Sequence, residues 1–80
     1  MKLKLNAYPM IPDVEEKIAE IIKSAVDNKA RLIEIAYGPA SESYKRRILR
    51  FLGKKEVRKL YSRLEKTDSG WRRVYLYFRW

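Results

Sequence analysis

The sequence predicts an α+β fold: a two-layer βαβαββ sandwich, with a four-stranded mixed sheet and both helices on one face. Three observations lead there. Residues 13–28 and 41–52 repeat apolar side chains at helical spacing. Four other short stretches are rich in β-branched or aromatic residues, or alternate apolar with polar. Right-handed crossovers between strands then bring both helices to a common side of the sheet.

Each element has its own signal. Lys2–Asn6 reads as a short strand with Leu3 and Leu5 inward, and the prolines of 7–12 fit a loop. Asp13 followed by Glu16 resembles a capping box and opens a helix to about Asn28. Val14, Ile18, Ile21, Ile22 and Ala25 form its apolar stripe, and acidic residues in its first turn suit the helix dipole. Arg31–Tyr37 is a second, central strand. Gly38, Pro39 and Ala40 break it, and Ser41 caps a helix to Leu52 that Gly53 stops. Tyr44, Ile48, Phe51 and Leu52 line the inner side of that helix, and Lys45, Arg46, Arg47 and Arg50 its outer side. A third strand is expected at about Val57–Leu64, with Leu60, Ser62 and Leu64 alternating with Lys59, Tyr61 and Arg63. Residues 66–70 have turn composition, so the last strand returns as a hairpin. In that strand Val74, Leu76, Phe78 and Trp80 face one way, and Trp71, Arg73, Tyr75, Tyr77 and Arg79 the other. With no linker or repeat, residues 1–80 are read as a single domain.

Composition narrows the chemistry. The chain has no cysteine and no histidine. This excludes disulfides, thiolate metal sites, a Ser-His-Asp triad and a His general base. No metal, cofactor or catalytic residue is indicated. The amino terminus shows no signal-peptide pattern, and no apolar run approaches the ~20 residues that span a bilayer, so a soluble, cytoplasmic protein without a membrane partner is expected. Net charge is +9, unevenly spread. Residues 1–44 carry six basic and seven acidic side chains, whereas residues 45–80 carry thirteen basic and three acidic ones. That asymmetry points to a polyanionic partner.

Three regions are candidate sites. The first is the basic segment Lys45, Arg46, Arg47, Arg50, Lys54, Lys55, Arg58, Lys59 and Arg63, opposed only by Glu56. Solvated helix faces usually mix signs, and this one hardly does. The second is the open sheet face, where Tyr61, Arg63, Trp71, Arg73, Tyr75 and Tyr77 interleave rings with guanidinium groups. Rings stack on bases and Arg neutralises phosphate. The same outer residues also read as good β-formers kept soluble by Arg. The third is the loop pair around Asn6 and Tyr37, Gly38, Pro39, Ala40 and Ser41, at the carboxy ends of two strands, where backbone amides can hold a phosphate.

These loops carry a family resemblance. Leu3-Lys4-Leu5-Asn6-Ala7 sits where the Smr (small MutS-related) domain family has Leu-Asp-Leu-His-Gly. Ile35-Ala36-Tyr37-Gly38-Pro39-Ala40 sits where it has an apolar pair and His-Gly-Lys-Gly. Spacing and element order also match, and Ser43–Leu52 looks like the helix after the family's glycine loop. Of the signature, Leu3, Leu5 and Gly38 remain, while Asn6 and Tyr37 replace its His residues and Lys4 its Asp. The resemblance implies a nucleic-acid surface of Smr-like fold, on RNA, DNA or the ribosome. It does not carry over nuclease chemistry, which needs a base or metal to activate the nucleophile. The carboxy-terminal domain of bacterial translation initiation factor three shares the element order. Two other functions remain open: a nicking endonuclease with rearranged active residues, and a protein-interaction domain using the aromatic sheet face.

Overall fold

The apolar periodicities of the sequence turn into seven short elements. The computed structural model describes residues 2–66 and 72–79. Over these the chain forms β1 (Lys2–Asn6), α1 (Val14–Asn28), β2 (Leu32–Ala36), α2 (Glu42–Leu52), α3 (Lys55–Arg58), β3 (Arg63–Lys66) and β4 (Arg73–Tyr77). The strands make one mixed sheet in the order β1-β2-β4-β3. β1 runs parallel to β2, and β4 runs antiparallel to both β2 and β3.

Register decides what each face carries. On one face Leu3, Ile33, Leu76 and Leu64 lie side by side, followed by Leu5, Ile35 and Val74. α1 lays Val14, Ile18, Ile22 and Ala25 on that face, and α2 adds Tyr44, Ile48 and Leu52 to the same core. Both helices therefore cover one side, giving the two-layer α+β arrangement. A buried Ile or Leu contributes about 1.5–3 kcal/mol through lost apolar contact with water, so this layer is the main source of stability.

The helix ends show which local signals act. Ser41 caps α2 as expected, its Oγ accepting from the Tyr44 N–H at 3.3 Å. Asp13 occupies the N-cap position of α1, but its side chain makes no capping bond, so the expected capping box does not form. Gly53 ends α2 in a right-handed conformation, where glycine's freedom is not required. At Gly38 it is: φ is +52°, and a Cβ there would come within 3.2 Å of the Tyr8 ring.

The expected strand at Val57–Leu64 is a correction. The segment forms α3 instead, and the strand begins only at Arg63. The Val57 and Arg58 amides both donate to the Lys54 carbonyl, at 3.0 and 2.8 Å, closing a tight turn. That turn buries Val57 and leaves Leu60 exposed. The sequence Lys55-Glu56-Val57-Arg58 is dominated by helix-favouring side chains, which outweighed the weak alternation beyond it. Of the expected turn, residues 67–70 lie outside the described residues, as do Trp71 and Trp80.

α2 also grips the β1–α1 connection. The Tyr44 hydroxyl donates to the Ala7 carbonyl at 2.8 Å and accepts from the Ile11 N–H at 3.0 Å. Tyr44→Phe keeps the ring but strands the buried Ala7 carbonyl. It is expected to cost about 1–3 kcal/mol. Thermal melting should show this as a fall of about 4–8 °C for each kcal/mol lost; an unchanged melting temperature would show that the loop holds its path without the hydroxyl.

Candidate nucleic-acid interface

The long basic side chains between residues 45 and 63 do not form one solvated helix face. Three adjoining depressions run along α2 and round the outer edge of β3. Lys45, Arg46, Leu49 and Arg50 line the first. Leu49, Gly53, Arg58, Ser62 and Arg63 line the second, a groove of about 440 Å³. Gly53 and Arg58, with Lys55 and Lys59, line the third. The depressions adjoin at Leu49, Gly53 and Arg58 and make a run of basic surface, the groove, which Glu42 borders at the α2 end. Within it Lys45 lies 3.8 Å from Glu42, and Arg63 lies 3.3 Å from Glu65. Among the described residues Arg46, Arg50, Lys55, Arg58 and Lys59 have no carboxylate within ion-pair distance.

Two residues of the basic segment leave this surface. Arg47 turns to α1: its Nε donates to Glu15 Oε2 at 2.7 Å, its Nη2 to Glu15 Oε1 at 2.6 Å, and Nη2 also to the Pro12 carbonyl. This bidentate pairing holds the Glu15 carboxyl below its ordinary range and the guanidinium above its own. Lys54 sits over the Phe51 ring, 5.7 Å from its centroid. Neither lines the groove: Glu15 on the neighbouring helix draws Arg47 to α1, and Lys54, just after α2, lies back over Phe51.

On the open sheet face, β4 presents Arg73, Tyr75 and Tyr77 as expected. The rings are not bare. Tyr75 and Tyr77 lie 6.4 Å apart, tilted by 59°. The Arg63 guanidinium rests over Tyr77 at 4.3 Å, and the Lys2 ammonium lies 5.7 Å from the Tyr75 centroid. Tyr61 is a correction, since it precedes β3 and packs toward the core. Its hydroxyl donates to the Leu52 carbonyl at 2.7 Å, and burial pushes its pKa up.

Sequence reasoning missed the rest of this face. β1 places Lys2 and Lys4 on it, and β2 places Glu34 between them and β4. The Glu34 side chain is only 6% exposed, yet it is surrounded by cations: Lys2 at 2.8 Å, Arg73 at 3.8 Å and Lys4 at 3.9 Å. The Lys2 hydrogen bond, reinforced by these charges, holds the Glu34 carboxyl below its ordinary value despite burial. The alternation Lys2-Leu3-Lys4-Leu5 was a usable signal, because the face opposite the two leucines had to be this one.

The loop pair comes together, but differently from expectation. Tyr37 is fully buried in the core. The Tyr37 and Gly38 amides both donate to the Arg72 carbonyl, and the Ala7 amide to the Ala36 carbonyl, so these donors are spent inside the fold. Tyr8, Met10, Pro39, Ala40, Ser41 and Tyr44 line a small recess of about 180 Å³ without a charged side chain, and Asn6 ends β1 exposed, on the same sheet face as Lys2 and Lys4.

Among the described residues no group of three His, Cys, Asp or Glu side chains is placed to hold a metal ion. No helix there is long and apolar enough to cross a membrane. No protein family, no curated protein and no solved structure matches the chain.

The two paired glutamates give a pH dependence of stability. Each has its folded pKa lowered from the ordinary 4.5, so its contribution is present above that value and lost as pH falls through the lowered one. Denaturant titrations between about pH 5 and pH 3 should therefore show declining stability. Glu15→Gln should decline less over the same window; a parallel decline would mean that the Arg47 pair has no part in acid sensitivity.

Proposed function

We propose that this chain is a nucleic-acid-binding module of Smr-like fold that recognises RNA or DNA, structured RNA or the ribosome included, without nuclease chemistry. The basic groove carries this reading. Five cations without a carboxylate partner among the described residues line this path beside Lys45, while the Arg63 guanidinium turns to Tyr77 on the other face. Unneutralised positive charge in a groove concentrates a polyanion and releases its counterions on contact. The Smr-like assignment rests on element order and on Leu3, Leu5 and Gly38.

The motif loops and the sheet face lend less support to the two alternatives. For an endonuclease, the positions matching the family's His residues hold Asn6 and the buried Tyr37, and neither is a base near neutral pH. For a protein-interaction surface, the cations Arg63 and Lys2 beside the described sheet-face rings make that face charged rather than apolar.

If about six groove cations meet phosphates, log affinity should fall with log salt at a slope of about −4 to −5. The double variant Arg46→Glu, Arg50→Glu should weaken binding to every sequence and reduce that slope. Fluorescence anisotropy across a salt series measures both, and a variant with wild-type affinity and slope would remove the groove from the contact.

A further inference from the structure

We infer that Glu34 is a positioning residue. It fixes Lys2, Lys4 and Arg73 as a three-cation cradle for one backbone phosphate of a single strand, whose neighbouring base lies on the Tyr75–Tyr77 surface. The inference rests on the nucleic-acid reading above and adds to it a second, strand-selective site on the open sheet face.

The geometry starts from a buried charge. Desolvating a carboxylate costs several kcal/mol, and an ion cluster roughly breaks even against that cost. What such a cluster does supply is a fixed arrangement of charge. Here one carboxylate at 6% exposure lies beneath cations that are 51%, 59% and 53% exposed. The negative member points inward and the positive members outward. Lys has three N–H donors, so Lys2 and Lys4 each keep donors for a ligand after their contact with Glu34.

The neighbours identify the ligand class. Tyr75 stands directly across from Glu34 in the β2–β4 register, so an anion in the cradle lies beside a ring. One step along, the Arg63 guanidinium on Tyr77 forms a flat, cationic shelf. Bases stack on aromatic rings and on guanidinium planes alike. Phosphate beside planar surfaces is the pattern of a nucleotide within a single strand. A duplex has its bases already stacked and offers this face only phosphates, which leaves it to the groove.

Electrostatics alone and positioning predict opposite signs for one variant. Glu34→Gln raises net charge by one, which by itself tightens binding to any polyanion. If Glu34 positions the cations, the variant binds single strands more weakly, roughly tenfold for the loss of one charge-assisted contact. Duplex binding then stays level or tightens. The experiment is anisotropy with labelled 12-nucleotide oligo-U and oligo-dT and a 12-base-pair duplex, on wild type and Glu34→Gln, with circular dichroism to confirm folding. Lys4→Gln is the second variant, on an exposed side chain, and should lose more on single strands than on duplex. Single-strand affinity that is equal or tighter in Glu34→Gln overturns the inference, as does equal loss on both polymers in Lys4→Gln. If wild type binds the duplex while Glu34→Gln binds single strands as wild type does, the groove stands and only the cradle fails. If wild type binds neither polymer, both fail together.

Discussion

Tyr44 carries a largely buried hydroxyl from α2 to the β1–α1 connection and there donates to the Ala7 carbonyl and accepts from the Ile11 amide. A polar group in that position is costly unless it is satisfied, so the loop can take only the path that brings the Ala7 carbonyl and the Ile11 amide to it. One turn further along α2, Arg47 reaches the same stretch of chain through Pro12 and Glu15. These two side chains set how α2 lies against α1. The groove along the outer side of α2 inherits its direction from that setting.

The consequence for charge is a division of labour. Eighty residues bury a limited core, and without cysteine there is no covalent staple to supplement it. Part of the basic segment is therefore committed within the fold, Arg47 to a carboxylate on α1, while the exposed Lys54 lies over the Phe51 ring. Most of the remainder lines the groove. On the sheet the same economy works in reverse: a single carboxylate at the centre is surrounded by three cations. Both surfaces place positive charge on rigid elements, which keeps the entropy of ordering it low.

What could be read from the sequence was what depends on near neighbours. Ser41 and Gly53 bound α2 where expected, and the alternation of 73–78 gave both faces of β4 correctly. What could not be read depends on partners far along the chain. Arg47 looked solvated because its partner, Glu15, belongs to another helix. Glu34 is surrounded by cations only because β1 and β4 lie on either side of β2, pairings that link residues far apart in the chain. Tyr61 was misplaced for a local reason, since the turn of α3 moves it out of phase with β3. Tyr37 matched a loop motif by position, yet its bulk belonged to the core.

The sheet order leaves β1 and β3 as its two edges, and unpaired edges invite other strands. Here β1 carries Lys2 and Lys4, and β3 carries Arg63 and Lys66 with Glu65 between them. Two β1 edges approaching one another meet like charge before they can form a ladder. Lys2 and Lys4 thus also oppose strand-to-strand aggregation along the β1 edge. Substitutions that strip them weaken that protection, so charge-removed variants will favour self-association.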